Sequence, residues 1–400
     1  MKNSFYTRQF WLLCTSSFLF FAGFNMIIPE LPGYLDKMGG GAYKGLIISL
    51  FTVTAGISRP FSGKLADKIG RIPIMIIGVG VSTACGLLYP FTQSIALFLL
   101  LRLVHGFSTG FKPTGTSAYV ADIIPANRRG EAIGFLGVFG STGMALGPTL
   151  GGWVSLEYGY NVLFVSSSGL SALSIIILLG LKETLSDREA FRADMLLLKK
   201  DEIIEPRAWL PSVVMMMSIF SFGMVLTVSP DHSEHLGIEN KGLFFSVVTA
   251  TSLSTRFFGG KASDRLGRKV VSVAATLLLA VGMALITQVN NIYLFFTAAG
   301  LLGLSLGLNN PNLFAWTVDL SDPAKRGKAM ATVYLALEIG VGTGAFWSGT
   351  VFQNQIPNLT LAYSLGAVLA AGACLILVFH NPKRETDRRV IGTEGGALSR

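Results

Sequence analysis

The chain has 400 residues, of which 51% are hydrophobic and 14% charged. Soluble proteins carry roughly 25% charged residues, so a string of two or three soluble domains is excluded. The net charge of +9 raises nucleic-acid binding as an option, and its distribution along the chain removes that option.

A membrane span needs about 20 apolar residues, and the first such run covers residues 9–30. No small-residue cleavage site separates it from a soluble domain, so it reads as a retained span and not a signal peptide. Further spans are predicted at 43–62, 72–92, 95–120, 132–155 and 160–181. Residues 182–208 carry charges of both signs and read as a linker, in which Phe191 to Ile204 has the mixed character of an interfacial helix. A second series is predicted at 209–230, 242–262, 269–289, 292–317, 328–353 and 358–380. The expected organisation is a six-helix bundle over 1–181, a linker over 182–208, a second bundle over 209–380 and a polar, disordered tail over 381–400. The expected fold class is therefore an all-α membrane protein of twelve transmembrane helices.

The two series are copies. Adding 197 to a residue number in the first turns Arg59, Gly63, Lys64, Asp67, Gly70 and Arg71 into Arg256, Gly260, Lys261, Asp264, Gly267 and Arg268. The same offset pairs Lys44 with Lys241, Asp122 with Asp319, and Gly143 and Gly147 with Gly340 and Gly344. No gap is needed from residue 44 to residue 152. Such a duplication predicts two bundles related by a pseudo-twofold axis, with a substrate site between them.

Lys and Arg are divided unevenly. Twenty-five lie in the N-terminus, the linker, the tail and the four loops on their side, and three (Lys37, Lys44 and Lys241) lie on the other. The positive-inside bias puts both termini and the linker in the cytoplasm, so the basic charge is a topology signal that needs no nucleic acid. Cys14, Cys85 and Cys374 fall within apolar runs and read as packing residues, with neither disulfide nor metal spacing. Asp231-His232-Ser-Glu234-His235 looks metal-like but reads as a short loop, and no metal is expected there. Glu30 and Asp231, at outer helix ends, read as surface acids.

Several motifs carry chemistry. In Gly63-Lys-Leu-Ala-Asp67-Lys68-Ile-Gly70-Arg71, the glycines permit a tight turn, and Asp67 can cap a helix or pair with nearby cations. Contacts made in one conformation and lost in the other serve as a gate, and Asp264, Gly267 and Arg268 repeat the pattern. Gly143-Met-Ala-Leu-Gly147-Pro148-Thr-Leu-Gly151-Gly152 gives a flat face for close helix approach, and Pro148 frees a backbone carbonyl and permits a bend. The second copy has Ala345 where the first has Pro148. Arg102 and His105 share a face of the fourth span. An intramembrane arginine is functional by default, and the imidazole suits proton exchange, although a packing histidine is the plain alternative. Lys112 either binds an anionic substrate or snorkels to the interface. Asn309 and Asn310 occupy the corresponding place in the second copy, and with Asn25 they supply amides for a polar cavity. Glu338 lies mid-span with Tyr334 and Gly342 on its face and is the first candidate proton carrier, a static ion pair being the alternative. Arg59 and Arg256, near helix ends, read as gate supports.

On these motifs the chain resembles the major facilitator superfamily, in particular its twelve-span drug:proton antiporter branch, over residues 9–380. Gly23, Asn25, Pro29 and Pro32 fit the family's first-helix pattern. His105 stands where the family usually has Gln, and Ile72 where a basic residue is usual. The resemblance implies the major facilitator fold, and the Pro148 motif implies efflux.

The expected function is a proton-coupled antiporter of the bacterial inner membrane that exports small organic compounds. Glu338, Arg102 and His105 are the expected coupling residues, and Asn25, Lys112, Asn309, Asn310 and Tyr334 the cavity residues. The gate residues are Gly63, Asp67, Gly70, Arg71, Asp264, Gly267 and Arg268. The antiporter face comprises Gly143, Gly147, Pro148, Gly151 and Gly152. A transporter of a sugar or carboxylate is the alternative, and a non-transporting sensor is the reading from another class. No phosphate loop, nucleophile–base pair or cofactor motif is present, so neither an enzyme nor a cofactor is expected. The expected partners are a small-molecule substrate, protons and the lipid bilayer, and the protein is expected to be a monomer. A proton descending 100 mV supplies about 2.3 kcal/mol, which sustains roughly a fifty-fold substrate gradient.

Overall fold

The computed structural model describes residues 7–125, 129–192, 195, 204–321 and 326–380, and every regular element among them is helical. Helix α1 (Arg8–Ile27) begins where Thr7 Oγ1 accepts the Phe10 N–H at 3.3 Å. Pro29 and Pro32 interrupt it with a tight turn at Ile28–Glu30, and α2 (Leu31–Lys37) completes the span beyond its predicted end at residue 30. Helix α3 (Lys44–Ile69) continues through Pro60 and past residue 62, so Asp67 sits in its last turn and the expected loop shrinks to Gly70. Helix α4 (Arg71–Leu88) follows directly.

The fourth span is split at Gly106 into α5 (Ile95–His105) and α6 (Phe107–Ile123). Helix α7 (Arg129–Leu179) holds the fifth and sixth predicted spans, separated only by Gly159 at φ 83°. The second series is α8 (Trp209–His235), α9 (Gly242–Leu266), α10 (Arg268–Ile286), α11 (Ile292–Leu320), α12 (Arg326–Phe352) and α13 (Leu359–Phe379). Helix α8 runs through Pro230, so Asp231, His232 and His235 are helical and not in a loop. Ser94 and Asn291 cap α5 and α11 by accepting from backbone N–H groups that have no partner inside the helix.

Among the described residues, ten stretches are long and apolar enough to cross a membrane, with the two spans of α7 counted as one. Helix α9 has the length but is diluted by Ser246, Thr249, Thr251, Ser252, Ser254 and Thr255. Most of the expected interfacial helix, and the tail from residue 381, lie outside the described residues.

The duplication is preserved in three dimensions. A Cβ on Gly106 would stand 2.1 Å from the Phe51 carbonyl oxygen, and one on Gly303 would stand 2.1 Å from that of Val248. These partners are again 197 residues apart. Gly143, Gly147 and Gly151 press α7 onto the backbone of α1 at Phe18, Ala22 and Met26, while Gly340 and Gly344 press α12 onto α8 at Met216 and Phe220. The first series thus packs on itself as the second does.

The cores show how the two series meet. One buried cluster runs through both, from Phe24, Ile47 and Phe164 to Val228, Phe295 and Phe352, and it occupies the end of the molecule away from the linker. At the linker end the cores are separate. Phe10, Met75 and Tyr119 centre one in the first series, and Leu210, Leu313 and Val333 centre another in the second. The halves are therefore fused at the far end and parted at the linker end.

Candidate functional site

The far end is locked by charge and by glycine. Lys44, the first residue of α3, is fully buried, and its ammonium contacts Asp36 of α2 and Asp231 of α8 and donates to Asn354 Oδ1 at 2.5 Å. Asp36 belongs to its own half, while Asp231 and Asn354 belong to the other. Alongside, Gly45 and Gly349 bring α3 and α12 into backbone contact, so that a Cβ on Gly349 would lie 2.3 Å from Gly45 N. Gly242 abuts Pro148 in the same way, its Cβ falling 1.9 Å from the proline carbonyl oxygen. Asn240 Nδ2 donates to the Thr149 carbonyl at 3.0 Å. Pro148 thus serves the seam between α7 and α9. Asn25 reaches the space between the halves, in a small cleft shared with Pro29, Pro148 and Phe222, and donates to Phe21 O at 2.8 Å.

Further toward the linker, two arginines reach across the two seams. Arg59 of α3 donates to Glu338 Oε1 of α12 from Nη2 at 2.6 Å and from Nε at 3.1 Å. Its guanidinium lies 4.6 Å from the centre of the Tyr334 ring, which packs on Phe314. A cavity of about 390 Å³ flanks this pair, walled by Val53, Ile57, Leu335, Ile339 and Phe346, with Glu338 in its lining. Arg256 of α9 donates to Ser141 Oγ of α7 at 2.9 Å. Arg59 and Arg256 are mates under the 197-residue offset, and so are Ser141 and Glu338.

Arg102 and His105 are brought together inside the first half, away from Glu338. Arg102 is fully buried, donates from Nε to Ile47 O at 3.0 Å and from Nη1 to Tyr89 Oη at 3.2 Å, and lies over Phe51. The Tyr89 hydroxyl is 3.1 Å from His105 Nδ1, and Ser82 Oγ is 3.2 Å from Nε2. Because Tyr89 Oη accepts from the arginine, its O–H is free to donate to Nδ1, and the ring proton then belongs on Nε2 toward Ser82. Among the described residues no carboxylate contacts either side chain.

Lys112 neither reaches the linker-end surface nor lines a cavity between the halves. It is fully buried among α1, α4 and α6, donates to Ser17 Oγ at 2.6 Å and lies 5.6 Å from the centre of the Phe20 ring. Asn309 occupies the equivalent place in the second half and donates to Ser218 Oγ at 3.1 Å. The Oδ1 atoms of Asn309 and Asn310 are buried without a hydrogen-bond partner.

The linker-end motifs form matching ion clusters. Arg71 binds Asp67 at 2.9 Å and Asp122 at 3.0 Å, and Arg268 binds Asp264 and Asp319, both at 2.8 Å. The halves differ at the following helix. In the first, the Arg71 and Ile72 N–H groups donate to Glu183 at 3.1 and 3.0 Å. Partial burial opposes ionisation of Glu183, but the N–H groups of Ile72, Leu185, Arg71 and Thr184 together outweigh it and hold the carboxyl below the usual range. In the second half Lys269, at the place of Ile72, donates instead to His380 O at 2.7 Å. Gly63, the first glycine of the motif, lies within α3, and a Cβ there would have only Thr114 Cγ2 nearby, at 4.0 Å.

The partners that completed these sites were not singled out in the sequence: Tyr89, Ser17, Asp36, Asn354 and Glu183. Lys44 carried a signal, as one of three cations on the cation-poor side, and so did Asp231, as an acid at an outer helix end.

Comparison with known proteins agrees with this architecture. The profile of the Major Facilitator Superfamily matches residues 13–240 and again 212–397. Quinolone resistance protein NorA of Staphylococcus aureus (strain Mu50 / ATCC 700699) is 30% identical over 171 residues, which is 42% of this chain and 44% of that protein. Multidrug resistance protein 2 of Bacillus subtilis (strain 168) is 26% identical over 284 residues, 67% of this chain and 70% of that one. The match to NorA spans less than half the length of either protein. Among solved structures, the human organic anion transporter MFSD10 superposes with a TM-score of 0.71 at 18% identity, covering 92% of this chain and 99% of that one. The D-xylose–proton symporter superposes with a TM-score of 0.73 at 17% identity, covering 93% and 97%. These two share the fold.

Proposed function

The chain belongs to the Major Facilitator Superfamily and is a multi-pass membrane transporter, and from that premise we propose that it is a proton-coupled antiporter that exports small organic compounds by alternating access. The observation that carries this reading is the pair of separate linker-end cores set against one shared core at the far end. A protein fused at one end and parted at the other is one of the two states a rocking carrier needs.

The excess of Lys and Arg at the linker end supports a cytoplasmic placement of that end, and the similarity to resistance proteins of Staphylococcus aureus and Bacillus subtilis supports a bacterial plasma membrane. The state described here is then open to the cytoplasm. Residues 1–181 and 209–380 are the two moving bodies, and 182–208 tethers them.

Glu338 is the proton carrier in this proposal. Its carboxylate lies on the seam between the bodies, where Arg59 neutralises it, and a proton replaces the guanidinium when the contact breaks. Arg102 and His105 hold the first body in register around Tyr89 and support the coupling at a distance. The clusters at Asp67–Arg71 and Asp264–Arg268 form the cytoplasmic gate.

The test is a proteoliposome assay with an imposed pH gradient. Wild-type protein is expected to show substrate-evoked proton flux, and Glu338→Gln to lose that flux while still binding substrate. An intact flux in Glu338→Gln removes the residue from this role, and no flux from the wild type with any exported compound removes proton antiport.

A further inference from the structure

The two seams carry mate arginines in unlike surroundings. Arg59 is satisfied twice over: Glu338 supplies a carboxylate at 2.6 Å, and the Tyr334 ring lies 4.6 Å from the guanidinium carbon. Subtracting 197 from these two partners gives Ser141 and Gly137. Around Arg256 the carboxylate is thus replaced by a hydroxyl, and the ring by a hydrogen atom.

The geometry bears this out. Arg256 Nη1 meets Ser141 Oγ at 2.9 Å, and among the described residues no acid reaches the guanidinium. A Cβ built on Gly137 would find only Arg256 Nη1 within range, at 4.0 Å, and one on Gly134, a turn earlier, would meet nothing within 4 Å. Arg256 keeps exposed surface beside this contact. An arginine in a membrane span is costly without a counter-charge. Its planar fork binds carboxylates in two-point fashion and stacks on aromatic faces. What the first seam supplies from its own chain, the second leaves open.

We propose that Arg256, with Ser141 and the open face at Gly134 and Gly137, is a binding site for an organic anion that pairs a carboxylate with an aromatic ring. The ligand's carboxylate takes the place of Glu338 in the mate site, and its ring the place of Tyr334. This deepens the export reading by naming a substrate class, and it rests on that reading for the direction of transport. Binding itself needs no proton gradient, so the two can fail separately.

The probe is 2-naphthoate, with 2-naphthamide as its uncharged counterpart and hexanoate as a carboxylate without a ring, titrated into the purified full-length protein in nanodiscs. Naphthoate is expected to bind more tightly than either control. Arg256→Gln should weaken it about ten- to a hundredfold, the range for a charge-assisted hydrogen bond, while leaving naphthamide unchanged. A second variant works by filling the site: Ser141→Glu combined with Gly137→Tyr rebuilds the first seam's arrangement and should exclude naphthoate from a folded protein. Equal naphthoate affinity in wild type, Arg256→Gln and the double variant overturns the site. Proton-coupled export of other compounds would then still stand. Arg256-dependent binding in a protein with no proton flux would instead keep the site and sink the antiport reading.

Discussion

Gly349→Ala tests the far-end lock directly. The added methyl would lie 2.3 Å from Gly45 N and 2.4 Å from Gly45 Cα. Ordinary carbon contacts begin near 3.5 Å, so α3 and α12 must separate by about 1 Å at this point. Both obstacles are backbone atoms, so no side-chain rotation relieves the clash. Overpacking of this kind costs about 1–3 kcal/mol. The clash exists only while the far end is closed, so the cost falls on that state alone. It converts to a shift of about five- to 150-fold toward the state open at the far end. The assay is the rate at which a membrane-impermeant maleimide modifies Leu226→Cys, which lines the cleft between the halves, in a background lacking Cys14, Cys85 and Cys374. The rate should rise with the open fraction. Gly300→Ala serves as control, because nothing lies within 4 Å of its Cβ position. An unchanged rate in Gly349→Ala would refute the claim that this contact belongs to one conformation only.

Three further outcomes are expected. Lys44→Met leaves Asp36 and Asp231 facing each other without their cation, so the far end should open at neutral pH, and the same maleimide assay should report faster labelling. Arg102→Lys keeps the charge but loses the fork that binds Ile47 O and Tyr89 Oη; at about 1.5–3 kcal/mol per charge-assisted bond, the midpoint of thermal unfolding in detergent should fall, and an unchanged midpoint would show that the network is not structural. Glu183 has its carboxyl held below the usual range, so its contribution is complete above the unfolded value of about 4.3 and is lost as the pH falls through the lower folded value. Proteolytic cleavage after Lys182 should therefore accelerate on acidification in the wild type, whereas Glu183→Gln should be cleaved quickly at every pH.

How much of this was legible depended on whether a feature is local. The spans were legible because apolar length is a property of each segment alone. Their breaks were less so. Pro60, Pro113, Pro148 and Pro311 lie inside helices, whereas Pro29 and Pro32 end one. Proline chemistry is the same in each case, and the outcome depends on what neighbouring helices offer the freed carbonyls. Within the site, Arg102, Lys112 and Glu338 were visible as charges in apolar runs, but their partners were not. Arg59 and Glu338 are 279 residues apart, and Lys112 and Ser17 are 95 apart. Counting residues along its helix leaves Lys112 either binding an anionic substrate or snorkelling to the interface. The packing of α4 over it, through Gly78 against the Lys112 backbone, is not written in its own span. The contrast between Arg59 and Arg256 was available in the duplicated text, since Ser141 and Glu338 are mates, but it needed the geometry to show that these positions face arginines.

The single-residue joints of the fold set how it can move. Gly70 at φ 127° and Gly267 at φ 90° each join two spans with nothing between them, and Gly159 at φ 83° does the same inside α7. Left-handed backbone of this sort suits glycine and strains other residues. Elbows so short have no slack, so a twist of the second span is passed to the third as torque and is not absorbed. In the rocking motion proposed above, spans joined this way turn together, so the movement falls between the halves and not within these pairs.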